Sequence, residues 1–139
     1  MLADKAKQFA QHWHANQQDK AGKPYFLHLE FVAKFVADQS DEVIATAWLH
    51  DIVEDTVITI EQIEQLFGKV VAQAVEAITK RQGEDYQAYL ERIKKNGIAR
   101  KVKIADLTHN MDLSRLPHIN EKDLARAEKY RNAYRFLTT

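Results

Sequence analysis

Punctuation is what this chain lacks. Across 139 residues there are four glycines and two prolines, so few positions can stop a helix or supply the tight turns that strands require. Between those stops apolar residues recur at helical spacing, and no run alternates polar with apolar as a half-buried strand does. The expectation is an all-α fold, a single compact helical domain over residues 1–139, with about seven to eight helices. A chain this long buries a core without disulfide or metal staples.

The spacing predicts a first helix over about residues 2–18, followed by the polar turn "DKAGKP". A second starts near Pro24, a residue suited to a first helical position, and carries Leu27, His28, Phe31, Val32, Phe35 and Val36 on one stripe. Ser40 reads as the N-cap of a third, with Asp41 and Glu42 favourable in its first turn. That helix is expected to run on through His50 and Asp51. Thr59 and Gln62 resemble a capping box ahead of a short helix to Phe67, with Gly68 as its C-cap. Later helices are predicted over residues 70–79, from Tyr86 to the Asn96-Gly97 break, over 98–116 up to Pro117, and over 121–136.

Charge and composition exclude several functions. Twenty basic residues balance twenty acidic ones, so no global field draws the chain to nucleic acid or an anionic membrane. No helix has the basic face of a DNA reader. Without cysteine, any metal must sit on His, Asp or Glu. The first twenty residues carry charges throughout and no apolar signal-peptide core, and nowhere do enough apolar residues run together to span a membrane. A cytoplasmic protein is the expectation.

One stretch then conflicts with its surroundings. In "AWLHDIVEDT" an apolar helix delivers His50 and Asp51, and one turn later Glu54 and Asp55. Ionisable groups at the end of a buried helix are costly unless something neutralises them. On a continuing helix His50 and Glu54 share a side, as do Asp51 and Asp55. A local His-Asp hydrogen bond at a frayed helix end is one reading, and a cation is the other. Two further helices bear on the choice. Asp106 falls on the apolar stripe Ile98, Val102, Ala105, His109, Leu113 and Leu116, with Asn110 one turn on. His28 falls on the stripe of the second helix. His28, His50, Asp51 and Asp106 together offer two imidazoles and two carboxylates, a set suited to Mn²⁺, Fe²⁺ or Zn²⁺. Glu54 and Asp55 would then be left beside the ion, where a carboxylate can orient or deprotonate water.

The pattern His28, then His50-Asp51, then Asp106 resembles the H…HD…D signature of the HD superfamily of metal-dependent phosphohydrolases. Within it, "GKPYFLH", "LHDIVEDT", "LFG" and "VKIADLTHNMDL" are most similar to the small alarmone hydrolases and the hydrolase domain of Rel/Spo-type enzymes. The resemblance runs from about His14 to Leu116. It implies an all-helical, Mn²⁺-binding enzyme that removes the 3′-pyrophosphate of guanosine tetra- and pentaphosphate. By the same likeness His28, His50, Asp51 and Asp106 are metal ligands. Glu54 and Asp55 hold and activate the attacking water, and Asn110 contacts the nucleotide. An HD hydrolase of another nucleotide, such as a 5′-nucleotidase, and a non-catalytic nucleotide-binding regulatory module are the alternatives.

Three positions depart from the family pattern. Asp19-Lys20 stands where relatives carry two basic residues, Leu29 where a proline follows the first histidine, and Leu107 where a basic residue follows the ligand aspartate. Lys20, Lys80, Arg81, Lys101 and Lys103 are candidates for holding phosphate, of which Lys20 and Lys103 are preferred for the substrate. Tyr86 and Tyr130 suit either base stacking or the core. His12, His14 and His118 have no partner pattern and are expected to be structural or solvated. For His109 a hydrogen bond behind the ligands and a plain core contact both fit.

Overall fold

The computed structural model describes residues 1–139. Its elements are α1 (Leu2–Trp13), α2 (Phe26–Phe35), α3 (Asp41–Leu49), α4 (Ile52–Asp55), α5 (Ile60–Phe67), α6 (Lys69–Ile78), α7 (Tyr86–Lys94), α8 (Gly97–Asn110), a 3-10 turn (Leu113–Arg115) and α9 (Glu121–Thr138). There are no strands; the only β feature is an isolated bridge between Gln18 and Pro24. Since α4 is a single turn, eight helices of real length remain, as the spacing predicted.

The central element is α3, which packs against α1, α2, α6 and α8. Its residues Val43, Ala45, Thr46, Ala47, Trp48 and Leu49 are all buried, the composition of a helix covered on every side. The caps follow the sequence. Ser40 accepts from the Val43 amide, and Thr59 and Gln62 close a capping box at α5. Gly68, at φ 90°, makes the corner between α5 and α6, a conformation that side chains with a Cβ resist. Asp85, Asn96 and Asn120 cap α7, α8 and α9.

Four expectations are corrected. The first helix ends at Trp13, not near residue 18, because the Gln17 carbonyl is taken by the Tyr25 amide at 2.8 Å and the chain doubles back. The α8 helix ends at Asn110, not at residue 116. Beyond it the Asp112 side chain accepts from the Ser114 amide and hydroxyl, a local bond that competes with helix continuation. Leu113 and Leu116 are therefore half-buried rather than core. The face of α2 is also rotated: Leu27 and Phe35 are exposed, whereas Leu29 is fully buried. The third helix breaks after Leu49, so His50 and Asp51 occupy the joint between α3 and α4.

Candidate metal centre

The site lies where α2, α3 and α8 meet. His28 enters from the first turn of α2, His50 and Asp51 from the α3–α4 joint, and Asp106 from the middle of α8. One donor atom from each lies within 4.8 Å of all the others. His28 Nε2 is 2.9 Å and His50 Nε2 3.3 Å from Asp106 Oδ1. His50 Nε2 is also 3.1 Å from Asp51 Oδ2. Three helices thus bring together the four residues the sequence singled out.

The far sides of both imidazoles are occupied. His50 Nδ1 lies 2.7 Å from the Ala47 carbonyl, one of the acceptors left over at a helix C-terminus, so Nδ1 donates there and Nε2 faces inward. His28 Nδ1 lies 2.7 Å from His109 Nδ1, where one nitrogen must donate and the other accept. Burial, then Arg115 and His28, lower the His109 pKa to about 4 and keep that ring neutral. It also stacks on Phe31 at 4.2 Å between ring centres. Of the two readings open for His109, a hydrogen bond behind His28 is observed.

The carboxylates are braced too. Asp106 Oδ2 accepts from Lys103 Nζ at 3.0 Å and its Oδ1 from Asn110 Nδ2 at 3.1 Å. Asp51 accepts from the Tyr25 hydroxyl. Burial, reinforced by the Asp51 charge, holds the Tyr25 phenol above its ordinary range, so it remains a donor. Burial would raise Asp106, but Lys103, His28 and His50 outweigh it and hold the carboxyl well below its usual value. Burial would likewise lower His50, yet the charges of Asp51 and Asp106 keep its imidazole well above the ordinary value. The buried Asp106 and the half-buried Asp51 therefore draw positive charge to one point. With both Nε2 atoms aimed there, the two-nitrogen, two-oxygen set fits a divalent cation.

Glu54 and Asp55 stand one turn away and differ. Glu54 has no protein hydrogen bond, and burial, then the Asp51 charge, push its pKa up to about 7. Asp55 accepts from Gln17 Nε2 at 3.0 Å; burial raises it, with the Gln17 bond working against that.

Two cavities flank the quartet. One, of about 350 Å³, is lined by Lys20, Arg115, Arg126 and Asp19 among others; the second, of about 250 Å³, by Lys80, Lys103 and Lys129. Tyr25, Asn110 and Tyr130 line both. Tyr86 lines the second, so both tyrosines border the site rather than fill the core. Lys101 reaches Gln39 on the exposed surface, and Arg81 lies in an exposed turn, so neither joins the site. His12 and His118 are exposed, but His14 is buried and hydrogen-bonded to Gln17. Sequence reasoning missed Tyr25, Gln17, Arg115, Arg126 and Lys129. Tyr25 alone had a signal, one helical turn before His28.

The departures now have physical reasons. Asp19 accepts the amides of Ala21 and Lys23 and pairs with Arg115 at 3.2 Å, so a guanidinium from the 3-10 turn reaches the wall where Asp19 removes a basic side chain. Leu29 and Leu107 are fully buried core residues.

Residues 6–130 match the HD domain family. The chain is 38% identical over 135 residues, 87% of its length, to a probable guanosine-3′,5′-bis(diphosphate) 3′-pyrophosphohydrolase of Synechocystis sp. strain PCC 6803, and spans 18% of that protein. It is 34% identical over 111 residues to the bifunctional (p)ppGpp synthase/hydrolase SpoT of Escherichia coli K12, covering 70% of this chain and 16% of the relative. A solved structure, described as a metazoan ortholog of SpoT that hydrolyses ppGpp, superposes with a TM-score of 0.81 at 24% identity, over 98% of this chain and 84% of the other. That likeness is one of fold. With the quartet in place and the family matched from α1 to α9, the chain belongs to the HD domain family.

Proposed function

We propose that this chain is a metal-dependent phosphohydrolase, a cytoplasmic enzyme that removes the 3′-pyrophosphate of guanosine tetra- or pentaphosphate. The observation that carries the reading is the quartet of His28, His50, Asp51 and Asp106 set between two cavities whose walls carry both cations and carboxylates. The names of the relatives point to the same substrate, although each is several times longer than this chain.

In this reading the quartet holds Mn²⁺, with Fe²⁺ and Zn²⁺ as the alternatives. When bound, the cation supplies Lewis-acid activation of water and of a phosphoryl oxygen. The protein does the rest. Asp55, fixed by Gln17, orients the attacking water. Glu54, unbonded and with its pKa near neutrality, takes the proton, because a base titrating near the working pH balances availability against proton affinity. Lys103, with Lys80 and Lys129, offsets the charge developing on the departing pyrophosphate. Lys20, Arg115 and Arg126 hold the opposite end of the nucleotide, and Asn110 spans the two cavities while steadying Asp106. No side chain acts as a nucleophile.

The Asp19–Arg115 pair favours a second reading, an HD hydrolase of a nucleotide other than guanosine, because it alters the wall nearest the nucleoside. One assay separates them: Mn²⁺-dependent pyrophosphate release from guanosine tetraphosphate, with Asp51→Ala as control. Release by the wild type alone supports the first reading. A wild type that binds Mn²⁺ but leaves this substrate intact rejects it in favour of the second.

A further inference from the structure

His14 and Gln17 lie outside the quartet, and the mechanism above gives His14 no role. Yet His14 is 2% exposed, directly after the end of α1, and its Nδ1 lies 2.7 Å from Gln17 Oε1. Gln17 Nε2 continues the line to Asp55 Oδ2 at 3.0 Å. Each link dictates the next. An ionised carboxylate can only accept, so it must face the amide NH₂ of Gln17. The amide oxygen is thereby turned to His14, which must answer with Nδ1–H. Of the two ways to place a glutamine amide, only one satisfies both neighbours.

The segment that carries these groups is itself clamped. The Gln17 amide donates to the His14 carbonyl at 3.0 Å, and the Gln17 carbonyl accepts from the Tyr25 amide at 2.8 Å. The His14 ring packs on Tyr25 at 5.4 Å between centres, and Tyr25 donates to Asp51. His14 Nε2 is buried without a partner, a costly way to fill space that an apolar residue would fill freely. Its other nitrogen is the one in use. By contrast α4 is a single turn with no side-chain cap, so Asp55 depends on Gln17 for its orientation, while Glu54 is left without a hydrogen bond.

We propose that His14 and Gln17 are positioning residues for Asp55, a His–Gln–Asp relay anchored on the buried His14 that fixes one carboxylate of the Glu54–Asp55 pair and leaves the other free to move a proton. This rests on the reading of Asp55 as the residue that orients water.

The test is a double-mutant cycle on the full chain with Mn²⁺ and guanosine tetraphosphate. Gln17→Met should lower kcat about tenfold, with KM and Mn²⁺ affinity held within about twofold, the cost of a slightly misplaced group. In an Asp55→Asn background the same change should cost no more than about twofold, since the residue it serves is already gone. Equal losses in both backgrounds, or no loss in the wild-type background, overturn the proposal. A readout without substrate separates its failure from failure of the substrate assignment. The His14 Nδ1 proton should appear as a slowly exchanging downfield signal in the proton NMR spectrum. It should be lost in Gln17→Met and shifted in Asp55→Asn. If the wild type leaves guanosine tetraphosphate intact but shows this pattern, the relay stands and the substrate assignment falls. A missing wild-type signal, or one indifferent to both substitutions, overturns the relay.

Discussion

Replacing Glu54 by Gln should stabilise the metal-free protein while removing its activity. The Glu54 carboxyl rises from 4.5 to about 7, first through burial and then through the Asp51 charge. A folded-state pKa above the unfolded one means that the group favours the fold fully below 4.5, and that this contribution is lost as pH rises through about 7. For a fully enclosed group the loss above that range would be about 3 kcal/mol. The Glu54 side chain reaches solvent, so screening brings the expected loss to about 1 kcal/mol. The Gln variant escapes it, because an amide carries no charge to desolvate. In chelator, urea unfolding near pH 8.5 should favour Glu54→Gln by about 1 kcal/mol, or about 3 °C in Tm. Near pH 5 the advantage should shrink to a few tenths of a kcal/mol. An advantage equal at both pH values, or a variant less stable near pH 8.5, would refute the electrostatic argument.

Other perturbations test other parts of the site. His109→Phe keeps the stack on Phe31 but removes the hydrogen-bond partner behind His28; calorimetric titration should show Mn²⁺ affinity lower by about 10- to 100-fold in a protein that still folds. Restoring the family's basic residue with Leu107→Lys should destabilise the chain by about 3 kcal/mol or more, since Leu107 is fully buried and a charge there has no partner; a small change in denaturation midpoint would show that position 107 reaches water. Asp19→Ala removes the acceptor of two amides and the partner of Arg115, so hydrogen exchange at the Ala21 and Lys23 amides should quicken at a stability loss of about 1–2 kcal/mol, and unchanged exchange would mean that the turn holds without it.

The four residues of the quartet were legible in the sequence because each breaks a pattern. Asp106 is an acid on an apolar stripe, and His28 is an imidazole on another. His50 and Asp51 end a helix too apolar to be at the surface. The helix count was legible for the same reason, since periodicity and caps are local signals. What the sequence hid depends on which surfaces meet. Leu113 and Leu116 keep helical spacing past the point where Asp112 turns the chain aside, so the end of α8 looked six residues too late. Arg126 and Lys129 look like ordinary helix-surface charges, and only the packing of α9 against α8 turns them toward the cavities, while Arg115 is brought there by the 3-10 turn after α8. His14 carried no signal at all, because its partners, Gln17 and Tyr25, meet it only when the loop after α1 doubles back.

Everything proposed for the site requires that His28, His50, Asp51 and Asp106 together hold a divalent cation. Mn²⁺ binding to the purified chain, followed by the loss of the free-ion paramagnetic resonance signal, tests it. The wild type should hold one tightly bound ion per chain, and a folded Asp106→Ala protein none. A wild type that folds and leaves all Mn²⁺ free, or an Asp106→Ala variant that binds it as tightly, would contradict the account.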